Sequence, residues 1–161
     1  MSNDWMRLAL VEAALVVNEV YPYPGVGVVL IKEGHLLKRA HNSKPGTGEP
    51  HAEVRVLEEL QRGQWDAEGV VLYTNLEPCC NVGLVLSCAE AVVKAGIKEV
   101  HVAMRDPYHL VRGKGIEFLE AAGVKVVFGE MEEEARWQNR KYLHRFCPAC
   151  GWPLLDGKDE Q

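Results

Sequence analysis

His51, Glu53, Cys79, Cys80 and Cys88 bring an imidazole, a carboxyl group and three thiols together in one stretch, as PHAEV, then EPCC, then a cysteine a little further on. Imidazole nitrogen and thiolate sulfur are donors that zinc prefers, and three protein ligands with a fourth position open are the arrangement of a catalytic zinc site. His51, Cys79 and Cys88 could supply those three. Pro50 suits the first position of a helix, which predicts His51 in its first turn. Ser87-Cys88-Ala89-Glu90 reads as a capping box that starts a helix at Cys88. Thiols at helix N-termini ionise more easily, so Cys88 is placed to be a ligand. Glu53, two residues beyond His51, does not face the same way on a helix and is not expected on the same ion. It is placed instead to flank the open position and move protons. Two thiolates already neutralise zinc, so its water is less acidic than on a zinc held by neutral histidines, and a positioned base must help.

H-x-E followed by P-C is the signature of zinc deaminases, in which a metal-bound hydroxide attacks an amino-bearing ring carbon and the glutamate shuttles protons. The usual C-x-x-C spacing is interrupted, because Val82 stands three residues beyond Cys79. Adjacent thiolates rarely chelate one tetrahedral ion, so Cys79 pairs better with Cys88 than with Cys80. Cys80 is expected to be buried or to line the pocket.

The longer spacing is itself a family mark. Through YPYPGVGVVLIKEG, EPHAEVRVL, LYTNLEPCCNVGLVLSC, AGIKEVHVAMRDPYHLVRGKGIEFLEAAGVKV and NRKYLHRF, the chain resembles the deaminase domain of the bacterial bifunctional riboflavin-biosynthesis deaminase/reductase, without the reductase domain. That family lies within the cytidine/deoxycytidylate deaminase-like zinc deaminases. The resemblance covers nearly everything to Phe146 and implies zinc on His51, Cys79 and Cys88, Glu53 as proton shuttle, and a homo-oligomer. Between the two cysteines the family carries a histidine and a basic residue that hold a phosphorylated substrate, where this chain has Asn81 and Leu84. Tyr23 takes the place of the family's asparagine between two prolines. The expected reaction is therefore retained, on a small heterocycle with an exocyclic amine, of aminopyrimidine, aminopurine or pterin type. The riboflavin pathway's phosphorylated diaminopyrimidine is an alternative that these departures make a poor substrate. A catalytically silent zinc-fold protein that binds a ligand or partner is the other alternative, against which the presence of Glu53 argues.

The elements that must position these residues follow from periodicity. Met6, Leu10, Ala13 and Val17, with Leu8, Val11 and Leu15 beside them, predict a buried helix behind an Asp4 cap. Val26 to Ile31 and His35 to Ala40 read as a hairpin. Val54, Leu57 and Leu60 form the buried stripe of the His51 helix. Strands at 70–74, 99–103 and 124–128 alternate with helices at 88–95 and 115–122, followed by one long helix over 130–145. Helical crossovers imply parallel neighbours, giving an α/β fold: a three-layer α/β/α sandwich, cytidine deaminase-like, around a mixed five-stranded sheet. Ligands in such sheets collect beyond the carboxyl ends of the strands.

The 161 residues suit one domain, divided here as 1–146 for the deaminase and 147–161 for a tail. A net charge of −5 argues against non-specific binding to nucleic acid or anionic membranes. With no secretory or membrane-spanning pattern, five cysteines read as metal or redox chemistry in a reducing cytoplasm. Tyr23, His41, Asn81, Leu84, Asp106 and Lys114 are candidates for substrate contact. Asp106, Arg112 and Lys114 accompany Gly113 and Gly115 in a loop whose backbone amides could cradle an anion. His101, alternating with valines, reads as structural, and the acidic run from Glu130 to Glu134 as a solvated helix start. In the tail, Cys147-Pro-Ala-Cys150 is half of a zinc ribbon, to which His144 could add a third ligand.

Overall fold

The computed structural model describes residues 2–44, 46–63, 65–80, 86–108 and 112–145, and among the sequence candidates Asn81, Leu84, Cys147 and Cys150 lie outside them. Helix α1 (Ser2–Ala14) precedes the hairpin of β1 (Gly27–Lys32) and β2 (His35–His41). Helix α2 (Ala52–Gln61), strand β3 (Val70–Leu76), helix α3 (Cys88–Lys94), strand β4 (Glu99–Met104), helix α4 (Lys114–Ala121), strand β5 (Lys125–Phe128) and helices α5 (Glu132–Gln138) and α6 (Arg140–His144) follow.

The five strands are ordered β2-β1-β3-β4-β5. β1 runs antiparallel to both β2 and β3, while β3, β4 and β5 are parallel, so the mixed sheet expected from the crossovers is the one observed. Helices α1 and α5 pack together against β1, β3 and β4, while α2, α3 and α4 form a row that covers β1, β2 and β5. β3 and β4 are buried almost throughout, as central strands covered on both faces must be. Leu30, Leu72, Val100 and Val102 of the strands meet Met6 and Ala9 of α1 and Val56 and Leu57 of α2 in one continuous core. Gly27 permits the closest approach, because a Cβ there would overlap the Ala9 carbonyl and the Ala13 amide of α1.

Register fixes which residues share the working end of the sheet. Gly27 opens β1 opposite His41, the last residue of β2. Val28 pairs with Thr74 and Leu76 with Met104, so the same end carries the carboxyl termini of β3 and β4. The segments holding Tyr23, His41, Cys79 and Asp106 therefore converge there.

Several expectations are corrected. Asp4 lies inside the first turn of α1 rather than capping it, and Val11 and Leu15 are exposed. Helix α2 begins two residues later than Pro50 suggests, so His51 is its N-cap rather than part of its first turn. The long last helix is broken at Asn139, which has φ −95° and ψ 19°. The physical reason is a tertiary contact: the Asn139 amide oxygen accepts from Gly25 N at 2.8 Å and its nitrogen donates to Gly25 O at 2.9 Å. Glu130 is not merely solvated, since it accepts from His101 Nδ1 at 2.7 Å while His101 Nε2 meets Glu99 at 2.8 Å.

Candidate metal centre and its surroundings

Helix α3 builds half of the centre by the way its first amides are satisfied. A helix leaves its first N–H groups without internal partners. Here Cys88 N donates to Cys79 Sγ at 3.3 Å and Ala89 N to the Cys79 carbonyl at 3.0 Å. Glu90 N donates to Ser87 Oγ at 3.2 Å, and Ser87 N returns a bond to Glu90 Oε2 at 2.8 Å, which completes the predicted capping box. The start of α3 thus places the Cys88 thiol and grips the loop residue Cys79 by sulfur and carbonyl together.

His51 arrives from the neighbouring helix. As N-cap of α2 it has extended backbone (φ −57°, ψ 156°), and its side chain makes no cap hydrogen bond. Its Nδ1 lies 3.1 Å from Cys88 Sγ and 3.7 Å from Cys79 Sγ. All three donor atoms fall within 4.8 Å of one another. Ideal zinc–ligand bonds at a tetrahedral angle put nitrogen and sulfur about 3.6 Å apart, a value that the two observed separations bracket.

The electrostatics favour thiolate at Cys79 and the protonated thiol at Cys88, the reverse of what the place of Cys88 at the start of α3 predicts. Cys79 is held well below the usual thiol range by hydrogen bonds from the Cys88 thiol, His51 and the Cys88 amide, against the opposing effect of burial. Cys88 is pushed well up in consequence, first by that shared hydrogen bond and then by burial and the nearby Glu53 carboxylate. The hydrogen bond to Cys79 raises His51 to about 9. Two thiols and an imidazole that already share protons at this distance are a donor set that fits zinc. Cys80 is half-buried and is not among the three converging donors.

Glu53 stands beside this set, only 4% exposed. Burial pushes its carboxyl up, as does the Cys79 charge, while a hydrogen bond from Cys88 works the other way. The first turn of α2 therefore presents a carboxyl in contact with one of the sulfurs and inclined to hold a proton.

The other candidates are placed differently. His41 gives Nδ1 to Glu12 Oε2 at 3.1 Å and lines a groove of about 330 Å³ with Arg39, Glu49, Pro50 and Arg55. Tyr23 is exposed and lines a separate cleft of about 170 Å³ with Tyr21, Asn139 and Tyr142. Lys114 is exposed at the start of α4. Asp106 is buried, and its Oδ1 accepts from Tyr142 Oη at 2.8 Å and Tyr108 N at 2.9 Å. The loop amides do cradle an anion, but it is the chain's own Glu77. That carboxylate accepts from Asp106 N and Gly113 N through Oε2 (3.2 and 2.9 Å) and from Gly115 N and Ile116 N through Oε1 (2.9 and 3.2 Å). A Cβ on Gly115 would overlap the Pro78 carbonyl, so the loop lies directly on the EPC segment.

Sequence reasoning missed Glu77, although the signal was present in an acidic residue adjoining Pro78-Cys79 and two glycines downstream. It also missed a clamp on residues 24–27. Asn42 accepts from Val26 N and donates to Pro24 O, both at 2.8 Å, and Asn75 accepts from Gly27 N and donates to Gly25 O, both at 2.9 Å. With Asn139 these side chains fix the segment that carries Tyr23 at the working end of the sheet.

Comparison with known proteins places these features in context. The family model described as the cytidine and deoxycytidylate deaminase zinc-binding region matches residues 1–104. Riboflavin biosynthesis protein RibD of Aquifex aeolicus is 41% identical over 143 residues, which are 89% of this chain and 39% of that protein. The chain thus spans about two fifths of the length of the curated relatives it matches. Among solved structures, Acinetobacter baumannii RibD aligns with a TM-score of 0.79 at 38% identity, over 89% of this chain and 39% of that one. A diaminohydroxyphosphoribosylaminopyrimidine deaminase/5-amino-6-(5-phosphoribosylamino)uracil reductase from Thermotoga maritima aligns with a TM-score of 0.82 at 29% identity, over 89% and 40%.

Proposed function

The chain belongs to the cytidine and deoxycytidylate deaminase zinc-binding family, and from that membership we propose that it is a zinc-dependent hydrolytic deaminase of a small amino-substituted heterocycle. The observation that carries this reading is the convergence of His51, Cys79 and Cys88 on one point with the buried Glu53 carboxyl beside them. His51, Cys79 and Cys88 would hold the ion. Zinc, when bound, supplies a Lewis acid that activates water as a nucleophile near neutral pH.

Glu53 would hold and move the proton, accepting it from the attacking water and passing it to the heterocycle so that ammonia can leave. Its burial suits the task, because a carboxyl pushed up from its ordinary value can hold a proton between the two transfers. The Glu12 contact fixes His41 at the same sheet end through Nδ1, and among the described residues no bond engages its Nε2, which we assign to substrate. Tyr23, in its own cleft with Tyr21 and Tyr142, offers an aromatic face to a flat ring only for a substrate that reaches beyond the metal centre.

Substrate is an aminopyrimidine, aminopurine or pterin. The names of the RibD relatives support the phosphorylated diaminopyrimidine within that class, whereas Asn81 and Leu84, at positions where the resembled family has ionisable donors, argue against it. We place the deaminase in residues 1–146 and a separate tail in 147–161. No helix among the described residues is long and apolar enough to cross a membrane. A cytoplasmic location is supported by the thiol chemistry of the site, which a reducing compartment preserves. Assembly as a homo-oligomer is supported by exposed Val11 and Leu15 on or just after α1 and Trp137 on α5, since these two helices are neighbours.

The test is ammonia release across aminopyrimidines, aminopurines and pterins, as bases, nucleosides and nucleotides, with Glu53→Gln run in parallel. The expected result is turnover of an unphosphorylated member by the wild type and a loss of about a hundred- to ten-thousand-fold in Glu53→Gln, with zinc content unchanged. Efficient turnover of the phosphorylated diaminopyrimidine would overturn the substrate preference, and silence across the panel would overturn the activity.

A further inference from the structure

We propose that Glu12 is a positioning residue that sets the tautomer of His41, so that the Nε2 lone pair takes a hydroxyl or amino donor of the substrate and rejects a phosphate oxygen. The inference rests on the deaminase reading above and narrows the substrate within it.

Glu12 is an acid on the packed face of a helix, and both of its oxygens are spent. It belongs to α1, and its side chain is only 7% exposed. Oε1 accepts from Arg39 Nε at 3.1 Å and Oε2 from His41 Nδ1 at 3.1 Å. Gly27 gives the acid its room: it pairs with His41 across the β1–β2 ladder, and a Cβ on it would come within 2.9 Å of Glu12 Cβ. Helix α2 holds the same histidine by its backbone, where Arg55 Nη1 donates to the His41 carbonyl at 2.8 Å. Two helices thus fix His41 on the wall of the groove of about 330 Å³, which also includes Pro50, the residue before the candidate ligand His51. A groove of that size can take the substituent of a heterocycle whose ring lies at the metal.

Polarity follows from the partners. A guanidinium only donates and a carboxylate only accepts, so Nδ1 must be the donor toward Glu12. In the neutral ring Nε2 then carries the lone pair. That lone pair attracts an O–H or N–H and repels an anionic oxygen. Glu12→Gln reverses the arrangement. Arg39 still needs an acceptor and the amide has one oxygen, so its NH₂ turns to His41 and makes Nδ1 the acceptor. Nε2 becomes the N–H.

Long-range proton–nitrogen correlation spectra of the zinc-loaded protein, at about pH 8 where an ordinary imidazole is neutral, show which ring nitrogen carries the proton. The His41 signals are those missing from His41→Gln. The expected result is the proton on Nδ1 in the wild type and on Nε2 in Glu12→Gln. A wild-type proton on Nε2 overturns the proposal even if Glu12→Gln does not fold, and so does the same tautomer in both proteins. The kinetic arm compares kcat/KM for an amino-bearing nucleoside of the panel with that for its phosphate. The preference for the nucleoside is expected to fall about tenfold in Glu12→Gln, the worth of one hydrogen bond reversed, and to change no further when Glu12→Gln is added to His41→Gln. An unchanged preference, or an equal effect of Glu12→Gln with and without His41, overturns the proposal. Silence of the wild type across the panel overturns the deaminase reading instead, and the spectra alone then decide the tautomer.

Discussion

His51, Cys79 and Cys88 share their protons unevenly, and that distribution decides how metal affinity depends on pH. Cys79 is held as thiolate through neutral pH, whereas Cys88 is raised and His51 stays protonated up to about 9. Zinc needs all three in their deprotonated forms, so uptake near neutral pH must release the Cys88 and His51 protons. Lowering the pH opposes that release and weakens binding. The logarithm of the zinc association constant is expected to rise by about two per pH unit near neutrality and by about one per unit above about pH 9, where His51 gives up its proton unaided while Cys88 still holds its own. Competition with a chromophoric chelator across this range measures it, and a flat profile would mean that the donors do not share protons in this way. These three ligands were readable from the sequence because metal chemistry demands particular side chains whatever the fold. The surroundings of Asp106 were not legible for the opposite reason. Its carboxylate is spent on Tyr142, 36 positions away, and no local pattern announces such a pair.

Helices and strands were legible where their causes are local. Ser87 and Glu90 declare the start of α3 within four residues, and the observed capping box matches the reading. The break between α5 and α6 was hidden, since Asn139 is turned out of helical geometry by Gly25, 114 positions distant. Glu77 illustrates the same limit and carries a prediction. It joins the end of β3 to the 106–116 loop and the start of α4 through four backbone amides, while only 2% exposed. In Glu77→Gln one oxygen keeps its two donors, but the amide NH₂ must face the other two N–H groups. Each stranded buried donor costs about 1 to 3 kcal/mol, so the two together are expected to destabilise by about 2 to 6 kcal/mol. Urea unfolding of zinc-loaded protein measures the difference. A change below about 1 kcal/mol would show that the four amides find other partners.

At the scale of the whole molecule, the three candidate zinc ligands come from the cap of α2, the loop after β3 and the first turn of α3, all carried by elements packed into the hydrophobic core. Leu30, Leu72, Val100 and Val102 on one face of the sheet and Val29 and Ala103 on the other are fully buried, a core in which none of the three donors' side chains is needed. Removing zinc is therefore expected to leave the secondary structure intact and to lower only the stability. A ligand present at a thousand times its dissociation constant stabilises the folded state by about 4 kcal/mol. For a domain of this size each kcal/mol shifts Tm by about 2 to 4 °C, so chelation should lower Tm by about 8 to 16 °C. Calorimetry and far-ultraviolet circular dichroism on zinc-loaded and chelator-treated protein test both halves of the expectation. Loss of the helical signal on chelation would mean that the ion organises α2 and α3 rather than docking onto them, and the pre-formed capping box and His51 geometry would then need the metal as their cause.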